Sequence, residues 1–560
     1  MATEEMTPED HRKFNITIGE LLDEVTAEFP GKEFVFFPAQ GIRLTYGQFL
    51  GRVKETARGL IALGVEKGDH VAIWAAGCLE WLLIQHAASR IGAVIVTVNT
   101  NFKAGEVEYV LTQSEASTFF IGPGFRNLDY PAIFSEVCPE LAASEEGKLT
   151  AARLPKLKRV VFMGQGRPAG MYAFQDVISG AEGVSPQEVE KRHCSLSPED
   201  PVHIVYTSGT TGFPKGALLH HAGLIGIAYW LGWVLHLAPE DRLCMPLPIF
   251  SSAGIVGSSL LPMRWGTSIA IIDNFDPSKV LQTLQDEKCT LVFGVTTMYI
   301  AMMEHPDFPK FRLSLKKTMM SGAPCPVEVM NQIESRMGMK LIVGCGLTET
   351  SGAVTFTRME DPPELRLTTA GRPVPGFAVK VVDLDNGMDL PPGRQGEMVY
   401  RGWGIMKGYY KMTDATGSTI DADGWLHSGD LAVMNELGYF NITGRLKDMI
   451  IRGGQNIYAK EIEEILYTHP KIADGYIVGV SDKKYGEELM AAIRLKEGMT
   501  CTEDEVRDFL RQKVARYKVP KYVWFVQEFP LTATGKAQKF KIAEMGIKHF
   551  GLEKERANTV

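Results

Sequence analysis

A chain of 560 residues is several times the usual domain size, so at least two domains with large apolar cores are expected. Its 45% hydrophobic and 22% charged content is that of an ordinary globular protein, and a formal charge of −8 argues against a nucleic-acid binder, which needs clustered Lys and Arg. The opening MATEEMTPEDHRKF is acidic and polar where a secretory leader is basic and then apolar; the longest apolar run, 224–235, is broken by Gly226 and Gly232 and is shorter than the roughly 20 residues that cross a bilayer, so a cytoplasmic protein with no membrane span is expected.

Ile18, Leu21, Leu22, Val25 and Phe29 recur at helical spacing. Thr45 and Gln48 form a capping box ahead of a second helix carrying Phe49, Val53, Ala57 and Leu60, which Gly64 ends. VAIWAA (71–76) and AVIVTV (93–98) flank a helical segment at 79–90, the pattern of a βαβ unit with buried parallel strands. The alternation continues through LCMPLP (243–248), TSIAII (267–272), CTLVFG (289–294) and KLIVG (340–344). After Gly371 the texture changes to short alternating runs with Gly, Asp and Asn turns, as in antiparallel hairpins. The last segment has its own helix–strand cycle: EIEEILYTHP, ADGYIVGVSD, ELMAAIRL and EDEVRDFLRQKV. The expected fold class is α/β: a large domain, 1–445, of mixed, mostly parallel sheets flanked by helices with a β-rich subdomain over about 371–445, and a small α+β domain, 446–560, joined by a hinge.

Charge is uneven: residues 446–560 hold 20 basic and 17 acidic side chains, net +3, which leaves −11 for the rest. That excess suits either a solvated face or a surface that meets an anion. The eight cysteines are scattered singly, with no CxxC and no Cys/His ligand spacing, which argues against a structural zinc site or a disulfide framework.

The stretch Tyr206 to Gly216, YTSGTTGFPKG, has almost no apolar surface and cannot fill a core. Amides freed by glycines, the hydroxyls of Thr207, Ser208, Thr210 and Thr211, and the ammonium of Lys215 are the parts of a polyphosphate cradle. A Walker loop needs Gly-Lys-Ser/Thr opening a helix, and here Lys215 lies between Pro214 and Gly216, so that reading fails on spacing.

YTSGTTGFPKG resembles the signature loop of the adenylate-forming superfamily, which includes acyl-CoA synthetases, luciferases and the adenylation domains of peptide synthetases. Further motifs follow in the same order over nearly the full length: Gly346-Leu347-Thr348-Glu349, GWLHSGD (424–430), GYFNITGRLKDMIIRGGQNIYAKEIE (438–463) and PLTATGKAQK (530–539). The resemblance implies an AMP-forming acyl-CoA synthetase. A monocarboxylic acid, medium-chain fatty or aryl, attacks ATP to give acyl-AMP and pyrophosphate, and CoA then displaces AMP.

It also implies roles. Thr207, Ser208, Gly209, Thr210, Thr211, Gly212 and Lys215 would hold the phosphates; Gly322, Ala323, Pro324, Cys345, Gly346 and Leu347 would line the adenine side. Thr348 would sit beside the α-phosphate, and Glu349 with Thr207 would hold Mg2+. Asp430 and Arg445 would take the ribose, and Lys536 would be the catalytic cation bridging the two reacting anions. Lys447 would be the hinge, Gly453 and Gly454 would line the CoA channel, and Phe250, Ser251 and Gly254 the acyl pocket. Partners are the carboxylic acid, ATP and CoA, with a homodimer left open and no nucleic acid.

Two positions depart from the family pattern. Cys345 stands where an aromatic residue usually stacks on adenine, and Ser251 where the acyl gate is usually bulky. Ser251 and Ser252 also replace the aspartate that pairs an amino-acid substrate's ammonium, which weighs against amino acids. Two alternatives stay open: an acyl-AMP ligase loading a separate carrier protein, and a non-catalytic nucleotide or acyl sensor, although a sensor needs neither Glu349 nor Lys536.

Overall fold

The computed structural model describes residues 5–207, 214–321, 327–453, 455–482, 484–532 and 535–552, the side chain of Asn456 excepted. Two large sheets organise it. One has nine strands, with a parallel centre from Lys340–Leu347 through Lys317–Ser321, Leu291–Val292, Arg242–Met245 and Ser268–Ile271 to Glu33–Phe37, and antiparallel strands at both edges. The other has seven strands, parallel except that Pro201–Thr207 turns back on Lys215–His220.

Strand periodicity explains the layering. In His70–Trp74, Val71 and Ile73 belong to one core while Ala72 and Trp74 belong to another. In Arg242–Met245, Leu243 and Met245 likewise join the first core and Cys244 a third. The first core is shared by both sheets, and the helices Ile18–Glu28, Tyr46–Ala62, Leu79–Ile91 and His221–Val234 fill it. Helices thus lie between the sheets and on both outer faces, as strands buried on both sides require.

Local signals act as the spacing predicts. Thr45 Oγ1 accepts from Gln48 N at 3.2 Å, and Gln48 Oε1 accepts from Thr45 N at 2.9 Å. Thr17 and Glu20 close a second capping box that the periodicity alone did not single out. The glycine-broken apolar run is the buried helix His221–Val234, and its glycines have a packing reason. A Cβ on Gly226 would lie 2.2 Å from the Trp403 ring, and one on Gly232 2.0 Å from Trp265 Nε1, so only glycine lets these indoles close on the helix. Among the described residues no helix is long and apolar enough to cross a membrane.

Residues after 371 form a four-stranded antiparallel sheet, Phe377–Val382, Gln395–Gly402, Leu426–Met434 and Phe440–Arg445. The single turn Leu446–Asp448 leads to a separate five-stranded sheet of Met449–Arg452, Gln455–Tyr458, Ile472–Asp482, Gly486–Leu495 and Tyr522–Phe525. Helices Ala459–Tyr467 and Glu503–Arg511 cover one face of it, and Lys539–His549 covers the other.

The central core also holds histidines that water does not reach. His86, His203 and His221 are at most 1% exposed, and neither ring nitrogen of His86 or His203 has a hydrogen-bond partner among the described residues. Burial pushes the pKa of each down to about 3. The folded state therefore keeps them neutral, while the unfolded chain binds protons below about pH 6.5. Stability is expected to fall as pH drops from about 6.5 towards 3, by up to about 1.4 kcal/mol per pH unit for each histidine. Urea-unfolding midpoints at pH 7.5, 6 and 5 check this. His203→Leu should flatten the slope, and an unchanged slope would show that His203 does not supply it.

Candidate active site

The described ends of the signature segment lie on two paired antiparallel strands. Thr207 pairs with Lys215 where Pro201–Thr207 and Lys215–His220 meet, at the carboxyl end of the strand next to the sheet edge; open α/β sheets bind ligands at the carboxyl ends of their strands. Ser208, Gly209, Thr210, Thr211 and Gly212 lie outside the described residues, as do Gly322, Ala323, Pro324 and Gly454. The two ends of the turn are well placed. Tyr109 Oη donates to Pro214 O at 2.9 Å, and Lys215 Nζ stands 5.1 Å from the centre of the Tyr409 ring.

Glu349 faces the same ends. Strand Lys340–Leu347 finishes in the single turn Thr348–Thr350, which buried Thr350 closes by accepting from Leu347 N at 2.9 Å. Ser351 follows at φ 63°, a left-handed conformation costly for a side chain, and its hydroxyl donates to Gly404 O at 2.8 Å. That sharp reversal holds Glu349 where its Oε1 accepts from Tyr409 Oη at 2.7 Å and lies 3.4 Å from Thr207 Oγ1. Tyr409 is itself fixed by backbone bonds from the flanking strand, Tyr410 N to Gly216 O at 2.9 Å and Leu218 N to Gly408 O at 2.9 Å. Sequence reasoning missed Tyr409; its only signal was an aromatic pair after Gly408 in a turn-rich stretch.

Asp430 and Arg445 are directly opposite each other on neighbouring strands, and Arg445 Nε lies 2.7 Å from Asp430 Oδ1. Asp430 is only 3% exposed, and burial pushes its carboxyl above the usual range against the pull of Arg445, Lys536 and Lys447. Lys536 comes to the same pair from the C-terminal loop. Leu531 and Ala537 bridge that loop, Lys536 N donates to Thr532 Oγ1 at 3.0 Å, and Thr297 Oγ1 donates to Gly535 O at 3.5 Å. Lys536 as a residue is exposed, yet desolvation of its ammonium acts on its charge. That desolvation first, and then repulsion by Arg445, pulls its pKa down to about 8 although Asp430 opposes the shift.

Cys345 lies beside this cluster with its sulfur 3.7 Å from Tyr400 Oη, a fully buried residue that the sequence did not single out. Burial, helped by Asp430, pushes the Cys345 thiol up to about 11, so it stays protonated. Thr348 Oγ1 is 3.2 Å from Ser252 Oγ, which joins the Glu349 turn to the expected acyl segment. Within that segment Phe250 is buried, but Ser251 is engaged locally: its hydroxyl donates to Pro248 O at 3.0 Å and accepts from Gly254 N at 3.0 Å. Gly254 packs its Cα face against backbone, where a Cβ would fall 2.1 Å from Pro248 O. Gly346 continues the strand Lys340–Leu347. Lys447 is exposed in the turn Leu446–Asp448, and Gly453, at φ 57°, turns the hairpin after Met449–Arg452 with its amide on Tyr485 O at 2.8 Å.

A carboxylate and hydroxyl contact next to Lys215, together with a buried carboxylate paired with Arg445 and felt by Lys536 and Lys447, suits a ligand carrying both hydroxyls and several negative charges. Comparison with known proteins agrees. The AMP-binding enzyme family matches residues 22–410, and the AMP-binding enzyme C-terminal domain matches residues 461–536. The chain is 45% identical over 538 residues to YngI of Bacillus subtilis (strain 168), provisionally named an acyl-CoA synthetase, covering 96% of this chain and 98% of that one. It is 37% identical over 542 residues to a Danio rerio protein named medium-chain acyl-CoA ligase ACSF2, mitochondrial, covering 96% and 89%. Among solved structures, the anthranilate CoA ligase AuaEII in complex with anthranoyl-AMP superposes with a TM-score of 0.82 at 26% identity, over 95% of this chain and 97% of that one.

The Lys536 environment can be read without substrate. Its acylation by a limiting amine reagent, followed residue by residue by mass spectrometry, should rise with a midpoint near pH 8, and Asp430→Asn should move that midpoint lower. A midpoint at the ordinary lysine value of about 10.4 would show that the ammonium is not held in this setting.

Proposed function

The chain belongs to the AMP-binding enzyme family and is an acid–thiol ligase, and from that premise we propose that it is an AMP-forming acyl-CoA synthetase for a monocarboxylic acid, medium-chain fatty or aryl. The observation that carries the reading is the pairing of Asp430 with Arg445 across two strands of one sheet, and the charge of Lys536 from the C-terminal loop acting on both. A carboxylate that accepts ribose hydroxyls and cations that meet a phosphate and a carboxylate are what adenylation asks for.

In the first half-reaction a carboxylate oxygen attacks the α-phosphorus, the bond to the β-phosphate oxygen breaks, and pyrophosphate leaves. Two anions must come together, so cations fixed where charge accumulates contribute most. Lys536 would bridge the two anions as a point charge, and the incoming negative charge would raise its pKa from about 8 and keep it protonated. Lys215, together with residues 207–212, would grip the departing phosphates. Glu349 and Thr207 fit Mg2+, because a carboxylate oxygen and a hydroxyl lie 3.4 Å apart at the turn and this ion takes few protein ligands beside phosphates and water. There it would supply neutralising charge to the triphosphate.

In the second half-reaction the CoA thiol attacks the acyl carbonyl and AMP departs. Lys536 must first withdraw, and we assign that motion to residues 446–560 turning about Lys447, which lies exposed between the two sheets. The contact of Thr297 with Gly535 at 3.5 Å corresponds to the docked, adenylating arrangement. Gly453 and Gly454 would then line the thiol's path. The substrate class is supported by the relatives' names, medium-chain in one and anthranilate in another, and by the lack of a carboxylate over 248–252 to pair an ammonium. The single free thiols suit a reducing compartment, for which we take the cytoplasm.

Lys536→Ala is expected to slow adenylation, measured as ATP–pyrophosphate exchange, by about 10²- to 10³-fold. Thioester formation from supplied acyl-AMP should change only a few-fold, and equal loss in both half-reactions would refute the role. Because the charged lysine is the active form, kcat/KM for exchange should fall as pH rises through about 8, and Lys536→Arg should abolish that fall. Incubation with ATP, Mg2+, CoA and a panel of acids should yield AMP and acyl-CoA. Thioester formation with no acid would sink the proposal, and AMP release only with a carrier protein would favour the carrier-loading alternative.

A further inference from the structure

Away from this site, three metal-ligating groups remote in sequence meet on the helical face of the five-stranded sheet. A ring nitrogen of His469, the sulfur of Cys501 and a carboxylate oxygen of Glu505 all lie within 4.8 Å of one another. His469 follows the helix Ala459–Tyr467, Cys501 precedes the helix Glu503–Arg511, and Glu505 stands in that helix's first turn. The spacings of 32 and 4 residues match no zinc pattern, which is why the cysteine distribution does not announce the grouping.

The three groups are held, not merely near. His469 is 4% exposed and meets the Phe509 ring edge-on with centroids 4.6 Å apart. Thr502 Oγ1 accepts from Glu505 N at 3.2 Å and so fixes the start of the helix. The remaining partners are replaceable. The His469 Nδ1 contact is a long hydrogen bond, 3.3 Å from Lys471 N, and Glu505 is paired with Lys471 Nζ at 2.7 Å.

We propose that His469, Cys501 and Glu505 bind a divalent transition metal of borderline softness, Zn2+ in preference to hard ions, with water as the fourth ligand. The mixed N, S and O set selects such an ion over Mg2+ or Ca2+, and three protein ligands leave one position open. Ligand bonds of about 2.0 to 2.3 Å require the cluster to contract by about 1 Å, within reach of the partly exposed Cys501 and Glu505 side chains. Burial lowers the pKa of His469 and so keeps its ring neutral, while burial and Glu505 raise that of Cys501, so binding releases the thiol proton. The metal replaces the Lys471 ammonium as partner of Glu505. It ties the turn after one helix to the start of the next and stabilises the small sheet without entering the reaction.

The test uses the full-length protein stripped with chelator. Zn2+ titrated against a chromophoric competitor should fill one tight equivalent and raise the melting temperature. Co2+ should give a thiolate-to-metal charge-transfer band. Cys501→Ser should abolish that band and weaken Zn2+ binding by at least about 100-fold, more than loss of a supporting partner usually costs. Glu505→Gln, at a partly exposed position, should weaken binding and retain the band, which keeps a readout should Cys501→Ser fail to fold. Absence of a stoichiometric site, or a band and affinity unchanged in Cys501→Ser and Glu505→Gln, would overturn the proposal.

Discussion

A carboxylate taken out of water has to be matched, and Asp430 is matched from two sides. Arg445 holds it across one strand pair at 2.7 Å, and Lys536 approaches from a loop more than one hundred residues later in the chain. One buried anion faces Arg445, Lys536 and Lys447, so positive charge outnumbers negative charge there. A polyanion is drawn to such a surplus, so the arrangement suits a nucleotide. Burial raises the Asp430 carboxyl pKa against the pull of the cations, whereas burial and the neighbouring cations together lower that of Lys536.

The rest of the fold serves to deliver groups to that place. Strands of the nine-stranded sheet end at the Glu349 turn, strands of the seven-stranded sheet end at Thr207, and the four-stranded sheet presents Asp430 and Arg445. Helices packed between the large sheets hold their distance, since the shared core includes side chains from both. Tyr409 joins the first two contributions, with its hydroxyl on Glu349 and its ring beneath Lys215. Lys536 alone arrives on a separate sheet system, behind a three-residue turn. The loop is braced there by Lys539, which pairs with the buried helix residue Glu463 at 2.7 Å.

Much of this was legible in the chain. Short apolar runs marked the strands, and helical spacing with one capping box at Thr45 marked the helices Ile18–Glu28 and Tyr46–Ala62, because those signals depend on neighbours a few residues apart. Glycine, hydroxyl and lysine spacing pointed to a phosphate cradle between Tyr206 and Gly216, and the ordered motifs pointed to Glu349, Asp430, Arg445 and Lys536 as the residues to look for. The roles of Tyr409 and Tyr400 were not legible, since each acts on a residue more than fifty positions away. Ser251 looked like a free hydroxyl in an acyl pocket, but its oxygen is engaged by its own turn, a use that only backbone geometry reveals.

Composition, periodicity and motif order by themselves determined the α/β class, the change of texture after Gly371 and the chemistry to be sought, because each is written in short-range patterns. Tertiary structure decided which groups meet: the Asp430, Arg445 and Lys536 cluster, the Thr207, Glu349 and Tyr409 contact, and the grouping of His469, Cys501 and Glu505. It also decided that Lys536 has a pKa near 8. The physical reason is that desolvation and Coulomb interaction depend on distance in space, and separation along the chain does not encode that distance.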